Sequence, residues 1–355
     1  MDRVKVDIKA RETIKPSSPT PYNLKIFNLS LLDQIAPPVY ALTQIYPLAG
    51  RVTDNLFIEC NEGAEFLEAH VNFPLHEILR QPEVYVLDQL LPQEYHSNNL
   101  EAQLAVQVNF FSCEGMAIGT CMFHKIVDGA TFSSFVNMWA AIARNSGDSD
   151  ILCLPSFQGH SSSLKGIYQP WCEDLKSQKP MSRAKSGQSS PSIMTHAVNL
   201  RPRIDPPLPH SASGNLSWLA IAPAPSTDQL QDLVNAIRNA VKKIDKDYTR
   251  EMRGGNGISL MSDFLEQIGE LVPENVEIYR FVSWANLQNY EADFGWGKPV
   301  WESTAGFPFK NVIIFIETRV GHGLEAWVSL DGHDMTIFEN NLQLCSFVSS
   351  IDQNV

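Results

Sequence analysis

Residues 104–129 read LAVQVNFFSCEGMAIGTCMFHKIVDG, and this stretch decides the fold. Two β-rich runs, Leu104 to Phe111 and Met116 to His124, flank Cys113-Glu114-Gly115, which predicts a β-hairpin. In the first run apolar residues at 106, 108 and 110 alternate with Gln107 and Asn109. The alternation predicts a strand with one buried face and one polar face.

The period changes to that of a helix directly after Asp128-Gly129. Apolar residues at 132, 135, 136, 139, 142 and 143 fall on one helical face. The order strand, HKIVDG, helix therefore places His124 at a strand end, where its ring can face a cleft. Histidine is the side chain most often used as a general base near neutral pH. We expect Asp128 to turn back and fix the loop, and Gly129 to supply a backbone angle that a Cβ resists.

Other interpretations of the His-x-x-x-Asp pair stay open at this point. The pair is also compatible with a loop histidine bonded to an aspartate that caps a helix. A metal site is not favoured, because no HExxH is present and the nine histidines are scattered. The sequence has no GxSxG or P-loop, and Gly254-Gly255-Asn256-Gly257 predicts only a turn.

Length and composition indicate a globular protein of two domains. The chain has 355 residues and 39.7 kDa, too many residues for one hydrophobic core. Its net charge of −13 argues against nucleic-acid binding. Six cysteines without a paired framework favour reduced thiols, and no apolar segment reaches the length of a membrane span, so we expect a cytoplasmic protein that does not enter a membrane. Asn215-Leu-Ser217 matches the glycosylation pattern, but without a secretory signal we expect no modification there.

Strands and helices alternate in both halves, which predicts two α/β domains. The boundaries are an N-terminal domain at residues 1–155, a Ser-, Lys- and Pro-containing crossover at 156–191, and a C-terminal domain at 192–355. The C-terminal domain has predicted strands at Ile193–Leu200, Leu216–Ala222, Val312–Glu317 and Glu325–Leu330. An amphipathic helix is predicted from Leu230 to Ile244, and a short helix is predicted to start near Asp331.

A second motif, Asp293-Phe-Gly-Trp-Gly297, joins three uncommon residue types in one loop. Together with HKIVDG it resembles the paired HxxxDG and DFGWG signatures of the BAHD acyl-CoA-dependent acyltransferases. Further similar stretches occur in the family order: YPLAGR at 46–51, VNLRPR at 198–203, FVSW at 281–284 and LEAW at 324–327. The opening residues 15–33 are similar to the plant subgroup that includes vinorine synthase and other alkaloid acetyltransferases.

This resemblance implies two chloramphenicol-acetyltransferase-like domains with mixed sheets, a solvent channel between them, and a monomer. It implies an O-acyltransferase in which His124 activates a hydroxyl of a plant specialised metabolite for direct attack on acyl-CoA, with acetyl-CoA as the expected donor. Acyl-CoA and the acceptor alcohol would be the only small molecules required, without a bound cofactor or metal.

The resemblance also assigns residue roles. His124 would be the catalytic base, and Asp128 would be a structural residue of the same motif, paired with Arg201. Asn215 would bind substrate oxygen near the reaction centre. Gly129 and the loop residues Asp293, Gly295, Trp296 and Gly297 would hold the channel in shape.

The sequence departs from the family pattern in two places. A strand and helix are absent before the YPLAGR segment, near residues 41–45, and a second strand and helix are absent between 163 and 181. Phe123 also replaces the serine that often precedes the base. These gaps leave an alternative open, a catalytically impaired paralogue or a binding protein. A peptide-synthesis condensation domain shares the fold, but it usually has a second histidine at position 123.

Overall fold

The computed structural model describes residues 4–16, 26–28, 46–53, 57–60, 62–92, 103–122, 124, 127–144, 192–224, 229–254, 256–271, 276–307, 309–320 and 323–348. The predicted crossover at 156–191, Phe123 and the two regions of missing sequence near 41–45 and 163–181 lie outside these residues.

The described strands run in chain order as follows: β1 Val6–Ile14, β2 Ile26–Asn28, β3 Arg51–Thr53, β4 Phe57–Glu59, β5 Ala64–Val71, β6 Leu104–Phe111, β7 Met116–Met122, β8 Ser192–Asn199, β9 Ser217–Pro223, β10 Glu277–Ser283, β11 Val312–Glu317 and β12 Leu324–Ser329. The α-helices are α1 Leu75–Arg80, α2 Val84–Gln89, α3 Gly129–Ala143, α4 Leu230–Lys243, α5 Lys246–Arg253, α6 Gly257–Leu271, α7 Gly332–Glu339 and α8 Leu342–Cys345.

The molecule is a two-domain α/β protein with two mixed sheets. One sheet has the order β1-β5-β6-β7, and the other has the order β12-β11-β10-β8-β9. In the first sheet β5 and β6 are parallel and the other pairs are antiparallel. In the second, β10 lies parallel to both of its neighbours, and the outer pairs are antiparallel. Each sheet draws its described strands from one half of the sequence, and a small sheet, β2-β4-β3, accompanies the first.

The elements predicted around the two motifs are confirmed. β6 and β7 form the expected antiparallel hairpin, with Leu104 opposite Met122. Helix α3 starts at Gly129, and its apolar side packs on β6 through Phe135 and Met138. In the C-terminal half β8, β9, β11, β12 and α4 lie where the alternation and the helical period predict them, within two residues at each end. Helix α7 begins at Gly332 with Asp331 as its N-cap, as predicted.

The prediction for the two faces of β6 is wrong. The polar face is buried, and Phe110, on the face predicted to be buried, is 41% exposed. Gln107 and Asn109 are 1% and 0% exposed, and helices α1 and α2 lie over the face from which they project. Their carboxamides donate to the carbonyls of Gln89 and Leu90 at 3.0 and 2.9 Å. These carbonyls close α2, and the last carbonyls of a helix lack partners within it. The two polar side chains of β6 therefore satisfy the end of helix α2. Alternation of apolar and polar residues in the sequence cannot distinguish this role from exposure to solvent.

The connection from β10 to β11 contains the DFGWG residues and reaches the N-terminal half. Trp301 and Trp327, both from the C-terminal half, pack with the cluster that surrounds Ile78, Val86 and Phe111. The backbone N–H of Gly306 donates to Asp88 Oδ1 at 2.8 Å. The two halves are therefore in side-chain and backbone contact at this interface. In the described part of the chain, no helix combines the length and apolar character that crossing a membrane requires.

Candidate active site

Helix α3 begins at a buried aspartate. Asp128 has extended backbone angles and its Oδ1 accepts a hydrogen bond from the N–H of Thr131 at 3.0 Å, so it is the N-cap of the helix. The sequence motif thus places a carboxylate where the first N–H groups of a helix need acceptors and where the helix dipole favours negative charge. The capping interpretation left open by the sequence is correct for this residue.

Arg201 binds the same carboxylate from the C-terminal half. Its Nη1 lies 2.6 Å from Asp128 Oδ2, and its Nη2 lies 2.9 Å from Oδ1, which makes a two-pronged ion pair. The guanidinium also donates to the carbonyl of Ala212 and to Thr131 Oγ1, each at 2.9 Å. A planar fork with five N–H groups can satisfy all these acceptors, and a lysine cannot. The pairing expected from the family resemblance is present.

The Asp128–Arg201 ion pair is buried. Arg201 is 1% exposed and Asp128 is 6% exposed. The N–H of Leu216 adds a further hydrogen bond to Asp128 Oδ2 at 3.0 Å. Burial by itself raises the pKa of Asp128, but Arg201 and the bonds from Thr131 outweigh burial and hold that pKa below its usual range. The Asp128 carboxyl is therefore ionised near neutral pH, and its oxygens are occupied by hydrogen bonds that hold the structure. It cannot act in proton transfer at that pH.

His124 lies at the other end of the HKIVDG loop and is exposed. Its backbone carbonyl accepts a hydrogen bond from Asn215 Nδ2 at 3.1 Å, across 91 residues of sequence. Asn215 is 5% exposed, and its Oδ1 accepts a bond from the hydroxyl of Ser217 at 3.0 Å. The structure thus brings Asn215 against the backbone of His124. The expected contact between Asn215 and substrate stays a prediction.

Gly129 has a different reason to be glycine from the one that the sequence indicated. It is the first residue of α3, and its φ is not in the left-handed region, so no unusual backbone angle is needed. A Cβ at this position would lie 2.9 Å from Leu287 Cδ1 of the C-terminal half. The expectation about the backbone angle is wrong. A side chain at position 129 would instead have to displace the terminal methyl group of Leu287.

The DFGWG loop packs at the opposite end of α3. Asp293 Oδ1 accepts bonds from the N–H groups of Gly295 and Gly297 at 2.8 and 3.1 Å, which closes the turn. Both glycines have positive φ, +105° and +112°, which L side chains rarely adopt. Those two backbone bonds, together with the Arg144 cation, lower the pKa of Asp293.

The aromatic residues of this loop contact the helix directly. Phe294 is buried and meets Trp139 of α3 edge to face, with 4.9 Å between ring centroids. Trp296 stacks on the outer side of Phe294 at 5.4 Å and remains 66% exposed. Asp293 also pairs with Arg144, the residue that follows α3, at 3.3 Å. The two sequence motifs therefore hold the two ends of one helix.

A family model matches most of the chain. The model described as "Transferase family" matches residues 39–170 and 176–345. The chain belongs to this family, the BAHD acyltransferases. BAHD enzymes transfer acyl groups, and the chain is an acyltransferase.

Named BAHD relatives match almost the whole chain. Akuammiline synthase 2 of Alstonia scholaris is 31% identical, with 97% of each chain covered. Stemmadenine O-acetyltransferase of Catharanthus roseus is 30% identical, with 98% of each chain covered. Limonoid 21-O-acetyltransferase of Melia azedarach is 30% identical over 96% of this chain and 98% of the relative.

Solved structures show the same two-domain fold. The crystal structure of vinorine synthase matches with a TM-score of 0.77 at 28% identity, over 98% of this chain and 99% of that chain. A structure of Fusarium graminearum TRI101 with coenzyme A and T-2 mycotoxin matches with a TM-score of 0.62 at 12% identity, over 90% and 98% of the two chains. At that identity TRI101 shares only the fold.

This BAHD chain is shorter than the relatives it matches. The alignment with akuammiline synthase 2 extends over 441 positions, although this chain has 355 residues. The relative therefore contains long internal stretches without a counterpart here. The sequence analysis places missing stretches near residues 41–45 and 163–181, and these positions stay a prediction.

Three residues of the site were not predicted from the sequence. Thr131, Asn199 and Ser217 each contribute a side chain to the contacts around the HKIVDG loop. For Ser217 a signal existed, because residues two apart in an extended segment lie on one face. The Asn-Leu-Ser spacing also matches the glycosylation pattern, at which no modification is expected, and in the structure the two side chains bond to each other.

Proposed function

We propose that this acyltransferase moves an acetyl group from acetyl-CoA to a hydroxyl of a plant small molecule, with His124 as general base. The observation that carries the proposal is the contrast within the HKIVDG loop. Asp128 and its partner Arg201 are buried and satisfied, whereas His124 is exposed at the end of the β6–β7 hairpin. Of the titratable groups described in this loop, His124 is the one positioned to meet a substrate.

In the proposed reaction the acceptor O–H gives its proton to the imidazole as its oxygen attacks the thioester carbon. A tetrahedral oxyanion forms, the C–S bond breaks, and the imidazolium returns the proton to the departing thiolate. The products are the ester and CoA. Since the acceptor attacks the thioester directly, no serine or cysteine nucleophile is needed.

The names of the relatives support the choice of donor and acceptor. Stemmadenine O-acetyltransferase and limonoid 21-O-acetyltransferase are both described as transferring acetyl to oxygen. The chain is similar to each of them over nearly its full length. We therefore propose acetyl-CoA as co-substrate and a hydroxyl of a plant specialised metabolite as acceptor.

The remaining assignments follow the same proposal. The domains are 1–155 and 192–355, joined by 156–191, in a monomer with a channel that leads both substrates to His124. Gly129, Arg201, Asp293, Gly295, Trp296 and Gly297 act as structural residues around α3, and Asn215 lies next to the reaction centre. The four cysteines of the described residues, at 60, 113, 121 and 345, are free thiols. Free thiols are typical of the reducing cytosol, where we place the protein.

The first test compares His124→Ala with the parent chain. Thiol release from acetyl-CoA is measured with a panel of alcohols, and the variant should lose about 10²- to 10⁴-fold in turnover, the usual contribution of a general base. His76→Ala is the matched control, since His76 is an exposed histidine on α1 and its replacement should leave turnover unchanged. Equal rates for His124→Ala and the parent would reject the proposal.

A second candidate function is that of a binding protein with impaired catalysis, because the chain is shorter than its relatives. The observation in its favour is that this chain lacks long stretches that akuammiline synthase 2 contains, since the alignment extends over 441 positions and this chain has 355 residues. A parent chain that unfolds cooperatively and binds acetyl-CoA in calorimetry, yet releases no thiol with any alcohol, would favour this candidate. A parent chain that releases thiol in a His124-dependent manner excludes it.

A further inference from the structure

One residue pair of the C-terminal sheet is connected to both ends of the HKIVDG loop. Asn199 is the last residue of β8, Ser217 is the first residue of β9, and the two are directly opposite in the antiparallel register. Asn199 Oδ1 accepts bonds from Arg201 at its backbone N–H, 3.0 Å, and at Nη1, 3.3 Å. Through Arg201, Asn199 is connected to Asp128.

Ser217 is connected to the other end of the loop. Its hydroxyl donates to Asn215 Oδ1 at 3.0 Å, and Asn215 Nδ2 donates to the carbonyl of His124 at 3.1 Å. The sheet fixes the backbone of Ser217, because its register partner lies on the neighbouring strand. A rigid strand end is thus two hydrogen bonds away from the residue proposed as the base.

The direction of these bonds determines how Asn215 must be oriented. A carboxamide has one accepting end and one donating end, and a half-turn exchanges them. The His124 carbonyl can only accept, so it requires the NH₂ end. The oxygen then faces Ser217, whose hydroxyl supplies a donor. The hydroxyl can donate or accept, so the His124 carbonyl selects the orientation, and Ser217 then holds the carboxamide by donating to its oxygen.

We propose that Ser217 is a positioning residue for catalysis, which acts through Asn215 on the backbone of His124. The inference rests on the proposed role of His124 as general base. Ser217 does not contact substrate in this scheme, and its effect is to keep the imidazole-bearing backbone in one place. Displacement of a catalytic group by about 1 Å can reduce the rate by about 100-fold, so a small shift of this backbone is sufficient to lower turnover.

The experiment compares Ser217→Ala with Ser217→Thr, which keeps the hydroxyl. We expect Ser217→Ala to lower kcat about tenfold with KM for acetyl-CoA changed less than about twofold, since a tenfold change corresponds to one displaced hydrogen bond. Ser217→Thr should retain most of the turnover. Ser329→Ala is the matched control, because Ser329 ends β12 and its hydroxyl donates to the carbonyl of Phe309 at 3.3 Å, outside this cluster.

A double-mutant cycle tests the route through Asn215. If Ser217 acts through Asn215, adding Ser217→Ala to Asn215→Ala should lower kcat by less than about twofold, because coupled residues are not additive. Full additivity, or a Ser217→Thr variant as slow as Ser217→Ala, would overturn the inference. An unchanged kcat in Ser217→Ala would do the same, while the His124→Ala result decides the proposed function separately.

Hydrogen exchange keeps the inference testable even if the parent chain shows no turnover. Peptides that span residues 122–130 should exchange faster in Ser217→Ala than in the parent, and at the parental rate in Ser217→Thr and Ser329→Ala. Exchange in this segment that is the same for all four proteins would show that the hydroxyl does not hold the loop.

Discussion

The two ends of helix α3 are both bound by the C-terminal half, but by different means. At the first end the Asp128 and Arg201 side chains are 7% and 2% exposed. At the far end the Arg144 and Asp293 side chains are 38% and 27% exposed, and aromatic rings provide most of the contact. Ion pairs near water contribute little, whereas a buried charge that loses its partner is costly. We therefore expect the loss of the arginine to destabilise the protein strongly at the first end and only slightly at the far end.

The largest effect is expected from Arg201→Met, which keeps the stem and removes the charge. Asp128 would remain buried without its cation, and the free energy of unfolding should fall by about 3–5 kcal/mol. Urea unfolding at pH 7 measures the change. Arg250→Met is the control, since Arg250 pairs with Asp247 at 2.6 Å but both side chains are well exposed.

A second variant checks the reason for that loss. Replacing Asp128 by Asn in the Arg201→Met background removes the stranded charge, so part of the stability should return. Arg201→Met with the stability of the Arg250→Met control would contradict the comparison, because it would mean that water reaches Asp128.

A smaller effect is expected at Glu302, a partly buried carboxyl that forms no ion pair with a cation among the described residues. Burial raises its pKa to about 7, and Glu325 adds to the rise, although a hydrogen bond from Asn289 opposes it. Below about pH 4.5 the carboxyl is protonated in both the folded and the unfolded chain. From there to about pH 7 only the folded chain keeps the proton, so stability falls as pH rises. The loss contributed by Glu302 by pH 8 is about 3 kcal/mol.

Glu302→Gln tests this sign. The neutral side chain should remove the decline, so the variant should gain stability over the parent at pH 8 and little at pH 4.5. Glu291→Gln, an exposed glutamate paired with Lys298, is the control and should show the parental pH profile. A parental decline in Glu302→Gln would assign the pH dependence to another group.

The smallest effect is expected at the exposed ion pair. Arg144→Gln should lower the free energy of unfolding by less than about 1 kcal/mol, and the loss should shrink further in 1 M salt. Phe294→Leu, which removes the ring that meets Trp139, should cost more, about 1–2 kcal/mol, with no salt dependence. Thermal or urea unfolding of both variants decides the order, and a larger loss for Arg144→Gln would reverse the interpretation of this end.

The sequence predicted the fold well wherever a period and a turn agreed. The hairpin before His124, helix α3 and four of the five strands of the C-terminal sheet follow from patterns of a few neighbouring residues. The central strand, β10, was not predicted. The prediction for β6 was wrong because a buried polar side chain and an exposed one give the same alternation. Only the position of α2 over Gln107 and Asn109 distinguishes the two cases.

The site was predictable in part, because motifs indicate residues but not the tertiary contacts between them. His124, Asp128, Arg201 and Asn215 were found through motifs, and the structure brings them together across as many as 91 residues. Asn199 lies inside the VNLRPR stretch and Ser217 inside the Asn-Leu-Ser pattern, but neither pattern predicts that the two residues pair. Their contribution comes from a register between strands that local sequence does not encode. The close approach of Leu287 to Gly129 is likewise a tertiary contact, so the sequence led to a backbone explanation for that glycine.

The long span between Asp128 and Arg201 has a consequence for biosynthesis. A ribosome makes the N-terminal half first, at about 5–20 residues per second. When the HKIVDG loop emerges, its cation is 73 residues away and the DFGWG residues are further still. For those seconds the nascent loop has a carboxylate without its cation and a helix held at neither end by its later partners. His124 is thus synthesised early, but it reaches its final position only after the later half of the chain has been made.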